Sequence, residues 1–255
     1  MKTFLIYITT FSIILTPLSS EALAKEEFSF VKANDVLVID NDNDGLTDLQ
    51  ELHEFGTDPV LADTDGDGYR DGVEIENLYS PRYKNKLLSE VDSDKDGVND
   101  LWELRLGSHM LLSDTDGDGV SDSEEIELGY MPTRGDVVVK KRIEVDINNY
   151  TMSYYHGDVL LEKIAVSTGK KGWETPKGSF SIKNKVDYKN YFNHPNTPYN
   201  LEFAFSKGWR IYIHTASWHN EFGKKNMSTG CVNVPEAKMK EIYAWATVGT
   251  SVNVF

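Results

Sequence analysis

The sequence predicts a chain in two parts. A mainly β carboxy-terminal domain, of sandwich or barrel type with one helix, follows an acidic repeat region with short helices. Three observations carry this reading. Apolar residues recur with a period near two beyond residue 137, which marks strands. Only 235–247 reads as a helix in that half. One acidic pattern returns four times between residues 40 and 131.

The chain opens like an export signal. Lys2 gives a basic start, and Phe4 to Leu15 is largely apolar, broken by Thr9, Thr10 and Ser12. Pro17 and Ala22-Leu23-Ala24 place the expected cleavage after Ala24, so 1–24 is read as a signal peptide and 25–39 as a linker. The apolar stretch is shorter than the roughly 20 residues of a membrane span. The mature chain is therefore expected to have no membrane span, and to lie in the periplasm or cell envelope. No nucleic-acid partner is expected.

Charge divides the chain as sharply as pattern does. Of the net −15, residues 35–127 carry 27 acidic and 6 basic residues, whereas 136–255 carry 11 acidic and 16 basic. A single uniform domain does not fit such asymmetry. The basic balance of the second half suits an anionic polymer as partner.

The repeated unit is D-x-[DN]-x-[DN]-G-x-x-D-x-x-E. Its four copies are Asp40, Asp42, Asp44, Asp48, Glu51; Asp63, Asp65, Asp67, Asp71, Glu74; Asp92, Asp94, Asp96, Asp100, Glu103; and Asp114, Asp116, Asp118, Asp122, Glu125. Carboxylates at the first, third and fifth positions converge on one ion when a glycine at the sixth permits the turn. The twelfth returns a glutamate from the following helix, giving the oxygen-rich shell that Ca²⁺ requires. Without a cation the carboxylates of each loop would repel one another. All twenty are therefore expected to ligate structural Ca²⁺, and no cofactor is expected for catalysis.

Loop starts lie 23, 29 and 22 residues apart, too close for two full helices per loop. Each loop instead feeds one short helix, such as 48–55 or 100–106. Gly56, Gly107 and Gly129 stop three of them, and Pro81 stands beyond the other. Residues 40–131 resemble bacterial thrombospondin type 3 repeats. The resemblance implies a calcium-ordered rod or cap with little apolar core. Leu49, Leu52, Val73, Ile75, Leu101, Trp102, Leu104 and Ile126 are nearly all it offers for burial.

Residues 132–136 read as a linker and 137–255 as the second domain. Strands are expected at 137–147, 151–155, 159–167, 180–186, 201–205, 210–213 and 250–255, with Pro235 opening the helix. The single cysteine, Cys231, lies in Ser228-Thr229-Gly230-Cys231-Val232-Asn233, after His214 at the end of an apolar run. A lone cysteine in an exported chain is an unpaired thiol, and beside a histidine it is a candidate nucleophile. His214 is the expected base, with His219 the competing one in a polar loop. His194, before Pro195, reads as structural. Trp218, Tyr199 and Trp209 are candidates for a groove wall or for core packing.

Residues 137–255 resemble the YkuD-type L,D-transpeptidase catalytic domain. Val166-Ser167-Thr168-Gly169, Thr175-Pro176-Lys177-Gly178-Ser179-Phe180, Ile213-His214 and Ser228-x-Gly230-Cys231 carry the resemblance in order. It implies Cys231 as nucleophile and His214 as base. A backbone carbonyl near the histidine, such as that of Thr215, would orient the imidazole. Gly230 and Cys231 N–H groups would form the oxyanion site, with Ser228 bracing the loop. The family often carries His at the place of Thr229, Gly at Thr215, and Arg or Asn at Asn233. The implied substrate is a peptidoglycan stem peptide, passed to an amine on a second stem, to a cell-wall protein, or to water. The other readings are an L,D-carboxypeptidase on the same fold and a calcium-dependent surface module with an inactive catalytic domain.

Overall fold

The computed structural model describes residues 4–9, 12–17 and 39–255, as two units divided after Val38. In the first unit, Phe4–Thr9 (β1) and Ser12–Pro17 (β2) pair antiparallel, within the expected export signal. The expected cleavage after Ala24 and the linker up to residue 38 lie outside the described residues. Among the described residues no helix is long and apolar enough to cross a membrane.

In the second unit each acidic loop feeds one short helix: Asp48–Gln50 (α1), Asp71–Glu76 (α2), Asp100–Leu106 (α3) and Asp122–Leu128 (α4). Helix α1 continues to Phe55 as a wider π-helical turn. Thr47, Asn99 and Ser121 cap α1, α3 and α4, each accepting a backbone N–H from the first turn. Gly56, Gly107 and Gly129 end three of the four segments in the left-handed region, at φ 67°, 76° and 89°. Helix α2 has no such glycine and stops at Asn77.

The unequal loop spacing has a structural meaning. Gly72 N–H donates to Asp44 Oδ2 and Ser123 N–H to Asp96 Oδ2, both at 3.1 Å. A loop carboxylate of one repeat thereby caps the helix of the next. Repeats one and two form one pair, and three and four another. The longer interval between the pairs holds a bridge from Tyr79 to Leu87 and a 3₁₀ turn at Leu88–Glu90 that buries Leu88.

The repeat region has more core than expected. Leu101, Trp102 and Ile126 are buried as expected, whereas Leu49, Leu52 and Val73 are exposed. Leu46, Phe55, Leu88 and Met110 join Leu101 in a small core. Val98, Trp102, Leu106 and Ile126 join the core of the β domain. Trp102 meets Tyr154 edge-on at 5.9 Å, and Tyr154 meets Trp245 at 5.6 Å. Truncating a buried tryptophan of this kind costs about 3–5 kcal/mol. The second pair of repeats is therefore built into the β domain rather than hung from it.

The expected linker is a hairpin: Tyr130–Met131 (β3) pairs with Arg134–Val138 (β4). The single strand expected over 137–147 is accordingly two, β4 and Lys141–Asp146 (β5), separated at Val139 and Lys140. Thr151–His156 (β6), Val159–Ala165 (β7), Gly178–Ser181 (β8), Asn184–Tyr191 (β9), His194–Ser206 (β10), Trp209–Thr215 (β11), Val232–Val234 (β12), the helix Glu236–Trp245 (α5) and Ser251–Val254 (β13) follow. They form a five-stranded sheet, β7-β6-β5-β13-β8, and a four-stranded sheet, β12-β11-β10-β9. Both contribute to one apolar core, as with Phe180 against Phe203 at 5.5 Å. The mainly β class and the single helix of this half agree with the sequence.

Candidate active site and cation loops

Parallel pairing of β11 with β12 sets the site. Ile213 pairs with Val232 and His214 with Asn233. Cys231, one residue before β12, therefore stands beside Tyr212. Residues two apart on a strand share a face, so Tyr212, His214, Cys231 and Asn233 all present to the same side. Strand spacing and rise put the Cys231 and His214 backbones about 8 Å apart on the diagonal.

The Val166–Gly169 stretch holds the nucleophile loop in place. Asn233 N–H donates to Ser167 O at 2.7 Å, Ser228 N–H to Thr168 O at 3.1 Å, and Lys170 N–H to Ser228 O at 2.9 Å. Ser167 Oγ donates to Lys225 O and accepts from Met227 N–H. Thr175 Oγ1, at the start of the Thr-Pro motif, accepts from Gly169 N–H at 2.9 Å. A side chain at Gly169 would run into Trp173 O and Thr175 N. The motifs thus brace the loop that carries the thiol.

His214 is buried and its tautomer is fixed. Its Nδ1–H donates to Thr215 O at 2.6 Å, the orienting carbonyl expected from the sequence. Tyr191 stacks on the imidazole at 4.4 Å. Asn233 Nδ2 donates to His214 Nε2 at 3.1 Å, and Asn233 Oδ1 faces His219 Nε2 at 3.4 Å. Trp218 lies 5.9 Å from His214 and stacks on His194 at 3.8 Å. Tyr191 was not legible as a site residue, because only the β9–β10 hairpin brings it there. Tyr199 packs on Tyr243 away from the thiol.

Ser228 braces as expected, with Oγ donating to Cys231 O at 2.5 Å. It also accepts the Gly230 N–H at 3.1 Å. That amide is therefore not the free oxyanion donor the sequence reading made it, and Cys231 N–H remains as the expected donor. Gly230 sits at φ 120°, with Ile211 packed where a side chain would begin.

The thiol is half-buried at the floor of a cleft of about 510 Å³. Trp173, Tyr191, Phe192, Phe205, Trp209 and Tyr212 form much of its wall. Burial pushes the thiol up to about 11, opposed by a hydrogen bond from the Tyr212 backbone N–H to the sulfur. Burial likewise holds His214 down at about 4. The resting pair is a neutral thiol and a neutral imidazole, so the base must act as the nucleophile attacks. Iodoacetamide alkylation of Cys231 should therefore rise about tenfold per pH unit from pH 6 to 10, following the thiolate fraction. A rate flat across that range would reveal a preformed ion pair and overturn this.

In the acidic loops, the carboxylates of Asp40, Asp42 and Asp44 come within 4.8 Å of one another, as do those of Asp63, Asp65 and Asp67; Asp92, Asp94 and Asp96; and Asp114, Asp116 and Asp118. Buried carboxylate oxygens of Asp42, Glu51, Asp65, Glu74, Asp94, Glu103 and Glu125 have no hydrogen-bond partner among the described residues. Burial and the neighbouring acids push Glu51 and Glu125 to about 7, Glu74 to about 8 and Glu103 to about 9. Orphaned oxygens converging in every loop fit a hard cation.

The ninth-position acids also brace their loops. Asp48, Asp71, Asp100 and Asp122 accept the backbone N–H and side-chain donors of Asn41, Thr64, Ser93 and Thr115 with both carboxylate oxygens. They brace their loops, because the second loop residue reaches them first. Asp71 also approaches Asp44 and Glu51 of the preceding repeat.

Fold and site define a β domain that presents a thiol and an imidazole on one sheet face, preceded by four acidic loop repeats. Residues 140–254 match the L,D-transpeptidase catalytic domain (YkuD), and 40–62, 63–77 and 114–129 match the bacterial TSP3 repeat. The carboxy-terminal domain is thus similar to that catalytic-domain family, and the amino-terminal region to those repeats. The third loop, outside the matched ranges, has the same geometry. The L,D-transpeptidase YkuD of Bacillus licheniformis is 25% identical over 121 residues, covering 48% of this chain and 69% of its own. An L,D-transpeptidase structure from Mycobacterium smegmatis is 22% identical with a TM-score of 0.41, over 46% of this chain and 59% of that one. The catalytic domain from E. faecium L,D-transpeptidase is 28% identical with a TM-score of 0.39, over 46% and 97%. The chain thus spans about three-fifths of the mycobacterial protein.

Proposed function

We propose that this chain is an exported L,D-transpeptidase of the periplasm or cell envelope, with Cys231 as nucleophile and His214 as base. The observation that carries the reading is the register of β11 and β12, which puts thiol and imidazole on one sheet face at the floor of an aromatic cleft. The Cys231 sulfur attacks the carbonyl of the third residue of a stem peptide, and its proton passes to His214 Nε2. Asn233 must release that nitrogen first. The carbonyl–nitrogen bond then breaks, the proton goes to the leaving amine, and terminal D-alanine departs. An amine on a second stem or a wall protein attacks the thioester, His214 takes its proton, and the sulfur leaves and is reprotonated. Ca²⁺ orders the repeats, held by the acids of the four loops.

The test is mass spectrometry of products from residues 25–255 incubated with tetrapeptide muropeptides in Ca²⁺, beside Cys231→Ala. Cysteine-dependent dimers lighter by one D-alanine than two monomers support cross-linking. Cysteine-dependent tripeptides alone shift the reading to carboxypeptidase. Absence of product from both proteins sinks the stem-peptide reading and favours the surface module.

A further inference from the structure

The cleft contains a cation whose charge is not spent within the protein. Lys189, on β9, is half-buried among the cleft residues. Its Nζ lies 4.9 Å from the centre of the Tyr212 ring and 5.7 Å from that of Tyr191. Tyr212 is the register neighbour of Cys231, and Tyr191 stacks on His214. The two rings therefore fix the ammonium beside both reacting groups. Among the described residues Lys189 has no carboxylate partner. The other cation of the cleft differs: Arg210 gives Glu202 two hydrogen bonds of 2.7 Å. Lys207, at the turn between β10 and β11, is likewise held by Gly172 O and Glu174.

A half-buried ammonium without a counter-ion, facing a substrate cleft, calls for an anion from the substrate. We infer that Lys189 is a specificity-determining residue that receives the free carboxylate of the amino acid expelled from the acyl donor. This rests on the acyl transfer proposed above. In such a donor the terminal carboxylate lies three bonds from the carbonyl that Cys231 attacks, about 4 Å away. A cation beside the thiol is therefore at the right depth. It would admit peptides ending in a free acid, and discriminate against those ending in an amide or continuing as chain. Lysine serves here as a point charge set by its aromatic neighbours.

Two measurements on wild type, Lys189→Met and Lys189→Arg test this. The first compares alkylation of Cys231 by iodoacetate and by iodoacetamide, which differ in the negative charge. Wild type and Lys189→Arg should favour iodoacetate about tenfold more than Lys189→Met does, the effect of one charge at this range. The second compares tetrapeptide donors ending in D-alanine and in D-alanine amide. Lys189→Met should lose the preference for the free acid through KM, with the amide donor and the melting temperature little changed. A ratio unmoved in Lys189→Met in both measurements overturns the inference. If wild type turns over neither peptide while its iodoacetate preference still depends on Lys189, the stem-peptide reading fails. The anion subsite then stands for another acid-ended donor.

Discussion

Chelating the cations is expected to lower the melting temperature of the catalytic domain, not only to loosen the repeats. The reason lies in the fourth loop. Gly135 N–H, on β4, donates to Asp116 Oδ2 at 2.6 Å. A side chain at Gly135 would meet Asp118 and Glu125, so the strand lies directly against the ion site. From there the contacts run on into the β domain. His156 Nε2 bonds Tyr130 O at 2.6 Å, and buried Lys141 bridges Glu127 O and Trp245 O at 2.7 and 2.6 Å. Ile126 of α4 and Trp102 of α3 sit in the shared core.

A site held at a hundredfold its dissociation constant adds about 2.7 kcal/mol to stability. A domain of this size gains roughly 2–4 °C per kcal/mol. Losing the fourth site alone should therefore cost the β domain about 5–10 °C. Calorimetry of residues 25–255 in Ca²⁺ and in EDTA checks it, with near-ultraviolet circular dichroism reporting Trp245 and Tyr154. Gly135→Val should reproduce part of the loss in Ca²⁺. Identical transitions with and without EDTA would show that the loops do not support the domain.

Cys231→Ala and His214→Ala are each expected to lower turnover by about 10⁴ or more, and the double variant to be no worse than either. Residues that act as one unit behave this way, since removing either removes the step. The thiol is high and the imidazole low at rest, so neither has an alternative partner prepared. The Cys231→Ala fold should persist, because Ser228 Oγ bonds the backbone of residue 231, not its sulfur. His219→Gln is a useful contrast: His219 reaches His214 only indirectly, through Asn233 and Trp218, so its loss should be far smaller. Single-turnover kinetics on all four variants decides the matter. Losses that multiply in the double variant would mean that the two residues serve separate steps.

Much of this molecule is legible in the chain because its chemistry depends on local spacing. The acidic loops close within twelve residues, so their glycines, caps and cation ligands follow from one-dimensional order. The ninth-position acids carry a bracing role that spacing alone does not show, because a brace and a ligand have the same residue type. The hairpin at 130–138 was hidden because Pro132 and Gly135 read as a linker, and β12 because three residues carry almost no periodic signal. Cys231 and His214 were marked by their motifs as candidate nucleophile and base, and strand register brings them to one sheet face.

What the sequence determined by itself was therefore the inventory: four acidic loops, one thiol, one candidate imidazole and a mainly β domain to hold them. Tertiary structure decided what lies beside what. It took Trp102 and Ile126 out of a supposed spacer and put them in the catalytic core. It gave Gly230 N–H to Ser228, Asn233 to His214, and an unpaired Lys189 to the cleft. Apart from the local Gly230–Ser228 bond, these residues are separated in the chain, and the sheet order β12-β11-β10-β9 and the shared apolar core bring them together.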